Sequence, residues 1–188
     1  MRKEVIYMMT MLALVSLPKV LSQDSNTGSH NLNIVFPAVA LLDLESTDGN
    51  DLSFVLEAPG LEAGEELEIH EQRDGLWINY TSLVSENGTE RSITVKAGNV
   101  PEIPGLTIRV IANLHSGQGG GSFGMPTSAV VPGSTELDII TGIGSAFTGN
   151  GVSNGHKLIY FLDYTGSFEG LRESDDVSTV TLTYTITD

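Results

Sequence analysis

The chain has 188 residues with no cysteine, 21 glycines, and 9 Lys+Arg against 24 Asp+Glu, a formal charge of −15. Disulfides, thiolate metal sites and a cysteine nucleophile are thereby excluded. So few basic residues leave no electrostatic footprint for nucleic acid or an anionic membrane surface. Hydrophobic residues make up 40% of the chain and are regularly spaced, which is too many for an acidic disordered tail and enough for one domain with its own core.

Residues 1–22 read as a cleaved secretory signal: Arg2 and Lys3, an apolar run over 5–17, then Val20, Leu21 and Ser22 around the cleavage site. Thr10 and Ser16 interrupt the run, which falls short of the roughly 20 residues a bilayer span needs. No membrane span is expected once the signal is gone, and the chain is expected to be exported to the periplasm, the cell surface or the medium. Losing Arg2, Lys3, Lys19 and Glu4 takes the charge from −15 to −17. Residues 23–31 follow as a polar, flexible leader, and 32–188 as a single β domain.

From Leu32 the hydrophobic period is two. Leu32, Ile34, Phe36, Ala38, Ala40, Leu42 and Leu44 share one parity, and Pro37 splits the run or bends an edge strand. Residues 46–51 (STDGND) carry turn chemistry, with Gly49 supplying a positive φ. Further strands are predicted at 52–57, 67–70, 76–83, 91–96, 106–113, 129–131, 136–141, 157–163 and 177–187, each bounded by Gly, Pro, Asn or Asp. No run of ten residues has helical spacing, so helix is confined to a turn or two at 61–66 or 167–171. The last strand is the clearest: Val180, Leu182, Tyr184 and Ile186 face the core, and threonines alternate on the other face. Short strands separated by turns, with no internal repeat, predict an all-β, antiparallel sandwich or barrel.

Motifs for chemistry are sparse. Gly119, Gly121 and Gly124 satisfy G-x-G-x-x-G, but Met125-Pro126 follows in place of a helix, so no phosphate cradle is assigned. Two glycine-rich stretches, 115–124 and 142–156, read as loops whose glycines permit tight turns and close backbone approach, and one of them could contact a ligand or a neighbouring subunit. The histidines His30, His70, His115 and His156 lack zinc-ligand spacing. Asp43, Glu45, Asp48 and Asp51 surround a turn and offer oxygen ligands for calcium without matching an EF-hand; no other cofactor is expected. No G-x-S-x-G elbow is present, and the reading is non-enzymatic, with no catalytic residue. Trp77 is the sole tryptophan, a core-edge residue or a sugar-stacking platform. Trp77, His115 and His156 are the candidate ligand contacts. Asn79-Tyr-Thr81 and Asn87-Gly-Thr89 are glycosylation acceptors in a host that glycosylates.

The stretches 76–82 (LWINYTS), 103–112 (IPGLTIRVIA), 140–149 (ITGIGSAFTG), 155–160 (GHKLIY) and 180–187 (VTLTYTIT) resemble secreted subunits of bacterial surface fibres assembled by the chaperone-usher route. The resemblance covers about 110 of the 188 residues and rests on strand-and-turn patterns. It implies an immunoglobulin-like β-sandwich with a structural or adhesive role at the cell surface. The partners it implies are other copies or related subunits through strand exchange, and a periplasmic chaperone. The absence of a disulfide departs from many such subunits. The polar 23–31 segment departs from their alternating donor strand, so the exchanging segment would be Leu32, Ile34 and Phe36, or the sandwich is complete in itself. A carbohydrate- or calcium-binding β-sandwich is the competing expectation.

Overall fold

A computed structural model describes residues 27–54, 62–66, 69–100, 105–171 and 178–187. The proposed signal at 1–22 lies outside the described residues. The chain divides into two compact units, Met1–Val35 and Phe36–Asp188. Of the first, residues 27–35 are exposed and outside any strand.

The second unit is all-β and antiparallel. Its strands are β1 (Val39–Glu45), β2 (His70–Leu83), β3 (Arg91–Gly98), β4 (Leu106–Ala112), β5 (Gly120–Pro126), β6 (Leu137–Phe147), β7 (His156–Tyr164) and β8 (Thr181–Thr187). Among the described residues one 3₁₀ turn, Phe168–Gly170, falls within the 167–171 stretch where the sequence predicts a helical turn. Hydrogen bonding orders the sheet β4-β7-β2-β6-β3-β8, with β1 added to β2 and β5 to β6.

Length explains this branching order. β2 has 14 residues and β6 has 11, roughly twice a common strand. β2 pairs β7 from His70 to Ile78, then pairs β6 only at Thr81↔Phe147 and Ser82↔Ala146. The result is two four-stranded halves, β4-β7-β2-β1 and β5-β6-β3-β8, joined at that short splice. Polar side chains extend the splice at both ends. The Tyr80 N–H donates to Thr148 Oγ1 at 2.9 Å and the Thr148 N–H returns to the Tyr80 carbonyl at 3.1 Å; beyond Ser82, the Val84 N–H donates to Ser145 Oγ at 3.1 Å.

One apolar cluster serves both halves. Leu76, Ile78, Tyr80, Val110, Leu158 and Tyr160 come from the first, and Ile93, Val95, Ile139, Ile140, Ile143 and Ala146 from the second. Both halves therefore contribute apolar side chains to one shared core. A hydrogen bond at 2.8 Å between the hydroxyls of Tyr160 of β7 and Tyr184 of β8 joins the two halves, and the Tyr80 hydroxyl of β2 donates to the Phe123 carbonyl of β5. Burial pushes the Tyr160 hydroxyl up to about 12, tempered by its bond to Tyr184. The neutral phenol is thus the form that packs.

Arg91 is the charged side chain nearest the core. It is buried, and its guanidinium donates to the Val39 carbonyl, to Ser82 Oγ at 3.2 Å and to the Leu83 carbonyl at 3.3 Å. Fixed carbonyl dipoles replace the water it loses. In doing so they tie the start of β1 to the end of β2.

The predicted strands map unevenly. The 32–44 run forms a strand only from Val39, and 52–54 is not strand, although Leu52 and Phe54 pack against the core; 55–57 lies outside the described residues. Residues 129–131 contribute only the bridge Val130↔Val110. Of the strand expected at 67–70, His70 opens β2 while 67–68 lie outside the described residues, and the expected 76–83 continues the same β2 after a register shift between Asp74 and Leu76 around Gly75. β5 was expected as loop, and so was the half of β6 after Thr141; both are strand. Gly121 explains why: a Cβ there would stand 2.1 Å from the Ser145 carbonyl oxygen, so glycine lets β5 approach β6 at the bulge between Gly121 and Phe123.

Replacing Tyr184 with Phe leaves the buried Tyr160 hydroxyl without its cross-half partner and should cost about 1–2 kcal/mol in urea unfolding. The Tyr160→Phe, Tyr184→Phe double variant should cost clearly less than the sum of the single changes. Strict additivity would mean that the two halves do not close over one another here.

Candidate functional site

The described residues place the sequence-derived candidates in three separate locations. Leu32, Ile34 and Phe36 are 76%, 69% and 79% exposed and belong to no strand. Trp77 lies in β2 between Glu45 of β1 and Lys157 of β7, half-buried, on the opposite parity from the core residues Leu76 and Ile78. His115 and His156 come together, and Trp77 does not join them.

The histidine pair forms at the end of the molecule where the two glycine-rich stretches meet. His156 opens β7 opposite Ile78 and is fully buried; its ring lies near-parallel to Tyr80, with centroids 5.8 Å apart. His115 stacks flat on Phe123 at 3.6 Å and presents itself to His156 at 5.9 Å and 72°. Burial holds His156 below its ordinary value and the neighbouring His115 adds to this, outweighing the Asn113 and Phe123 carbonyls, which pull the other way.

The surrounding segments are stitched to each other. Ser116 and Gly155 exchange backbone hydrogen bonds at 2.9 and 3.0 Å. The Gln118 N–H donates to Asn154 Oδ1 at 2.8 Å, and Asn79 Nδ2 donates to the Asn154 carbonyl at 2.7 Å. Gly155 has φ +79°, and a Cβ there would lie 2.1 Å from the Ile78 carbonyl oxygen. These glycines therefore allow backbone to meet backbone. A shallow cleft of about 530 Å³, lined by Leu114, His115, Phe123, Met125 and their neighbours, opens beside the stack.

A second polar group occupies the outer surface of the first half. Asp163 of β7 accepts from Arg109 Nε of β4 at 2.8 Å and pairs with His70 Nδ1 of β2. Partial burial pushes the Asp163 carboxyl up, but Arg109 and His70 outweigh it and hold it below its usual range. Arg109 also lies over the Phe161 ring at 4.9 Å. The three side chains form an ion-pair network across β2, β7 and β4.

The acidic turn is bonded internally. Asp43 Oδ1 accepts from the Leu44 N–H at 2.8 Å, and Asp48 Oδ2 from Thr47 at 3.1 Å. Gly49 has φ +94°, as its sequence implied. Among the described residues no three His, Asp or Glu side chains converge as a metal set. The Asn79 acceptor is buried with its amide bonded, while Asn87 is exposed in the β2–β3 turn.

Sequence reasoning missed the roles of Tyr80, Arg91 and Asp163. Tyr80 was legible as a core-facing residue, and nothing marked its hydroxyl as a link between halves. Comparison with protein-family models, with curated proteins and with solved structures finds no match.

Replacing Gly155 with Ala should cost about 2 kcal/mol or more, because the positive φ and the Ile78 carbonyl both oppose a side chain there. Gly133→Ala, where a Cβ meets nothing within 4 Å, serves as the control and should change stability by less than about 0.5 kcal/mol. Equal urea midpoints for the two variants would show that the glycine-rich ends do not pack closely.

Proposed function

We propose that this chain is an exported, non-enzymatic structural or adhesive subunit at a bacterial surface, pilin-like, which associates with further copies or related subunits by adding strands. The immunoglobulin-like sandwich belongs to the same reading; two four-stranded antiparallel halves on one core support it. A periplasmic chaperone that shields the free edges before assembly follows from it.

The observation that carries the proposal is the seam between β1 and β8. Among the described residues β1 pairs only with β2, and β8 only with β3. The two strands lie near each other without pairing. The apolar residues along them, Leu42, Leu44, Leu182, Tyr184 and Ile186, are only partly buried although they pack against the core. An unpaired edge backed by half-covered apolar side chains is a template for another strand. The exposed segment with Leu32, Ile34 and Phe36 has the alternating side chains such a strand requires.

Size-exclusion chromatography with light scattering on residues 23–188, repeated on residues 37–188, tests the reading. Concentration-dependent oligomers or fibres from the longer chain and a monomer from the shorter one are expected. A stable monomer from the longer chain at all concentrations would overturn strand exchange. The weight would then shift to a binding module for carbohydrate or calcium, for which ligand-dependent quenching of Trp77 is the direct check.

A further inference from the structure

The histidine pair has no task in strand exchange, yet its surroundings are closely built. His156 has no solvent exposure; its Nδ1 stands 2.8 Å from the Asn113 carbonyl oxygen and its Nε2 3.2 Å from the Tyr80 hydroxyl. Three elements face the ring: β2 through Tyr80, the β4–β5 connection through Asn113 and His115, and β5 through the Phe123 carbonyl. The titratable groups among them are Tyr80, itself held neutral by burial, and His115; among the described residues no carboxylate acts on the ring.

A proton added to His156 in place would create a buried cation beside a second imidazole, with no anion to compensate. The same proton is accommodated readily once the covering segment lifts and water reaches the ring. Among the described residues the bonds that hold this cover are the Ser116–Gly155 pair, Gln118 to Asn154, and His115 Nε2 at 3.3 Å from the Thr148 carbonyl oxygen. Directly beside it lies the cleft with Leu114 and Met125, 63% and 62% exposed, against the Phe123 ring that His115 covers.

We propose that this end of the sheet is an acid-released latch. Proton uptake by His156 lifts residues 115–119 away from it, takes the His115 ring off Phe123 and widens the adjoining cleft into a larger apolar surface. The sign follows from linkage. His156 titrates below its ordinary value of about 6.5 when covered and near it when released. Between those two values the open form binds more protons, so acid favours opening by up to about tenfold per pH unit for one proton. Local opening of this kind leaves the rest of the sheet intact.

Amide hydrogen exchange on the full domain at about pH 7.5 and about pH 5, corrected for intrinsic rates, tests the latch. Protection at Ser116, Gln118 and Gly155 should fall about tenfold or more in acid while Ile139, Ile140 and Leu158 stay protected, and His156→Gln should remove the difference. Should that variant not fold, His115→Phe keeps a flat ring on Phe123 and should move the NMR titration midpoint of His156 upward. Equal protection at both pH values, a loss shared by the core amides, a pH effect that survives in His156→Gln, or an unmoved midpoint in His115→Phe would overturn the proposal.

Discussion

The fold depends on the short splice between β2 and β6. Each strand is long enough to serve three neighbours, β1, β6 and β7 for β2 and β2, β3 and β5 for β6, and among the described residues the ladder between the halves is Thr81↔Phe147 and Ser82↔Ala146. A sheet continuous across so short a join can turn one half over the other, which lets the isoleucines of β6 meet the leucines and tyrosines of β2 and β7. Thr148 and Ser145 supply side-chain oxygens where ladder bonds end, so the turn leaves few backbone groups unpaired. With no cysteine to reinforce it, the arrangement rests on this core and on bonds such as Tyr160 to Tyr184 that cross between the halves.

The same constraint sets where the molecule is open. Branching the sheet at β2 and β6 creates more edges than a closed barrel would have, and β1 and β8 end up adjacent but unpaired. Natural sheets usually protect an edge with charge, proline or a cover. Here β8 presents alternating threonines and half-buried apolar residues, with no charged side chain between Thr181 and Thr187. That combination suits an edge meant to be paired. Elsewhere in the sheet the glycine-rich segments bring backbone against backbone beside the buried His156.

Much of the fold was legible in the sequence because period-two alternation marks half-buried strands directly. β3, β4 and β7 fell where alternation placed them, β8 took up the expected 177–187 run only from Thr181, and the parity of Leu182, Tyr184 and Ile186 toward the core held. The misses have physical causes. β5 is a strand built largely of glycine and serine, whose role is close approach to β6, and hydrophobic alternation cannot reveal it. The segment with Leu32, Ile34 and Phe36 has the right pattern but no partner within the described residues, and a strand needs one. The site was less legible. His115 and His156 are 41 positions apart by subtraction and meet only because β7 begins where the β4–β5 connection crosses it. Trp77 stays away from them because it sits on the other face of β2. The bond from Tyr80 to Phe123 and the capture of Arg91 by carbonyls depend on tertiary register, which one sequence does not encode in any local pattern.

The central claim is that the β1–β8 seam is the surface through which copies join. Its most direct measurement is amide hydrogen exchange of the wild-type chain at low and high protein concentration. The account requires the outward-facing amides of β1 and β8 to gain protection as the protein associates, together with those of residues 32–36. Association that leaves those amides unchanged, and protects the outer edges of β4 or β5 instead, would contradict it.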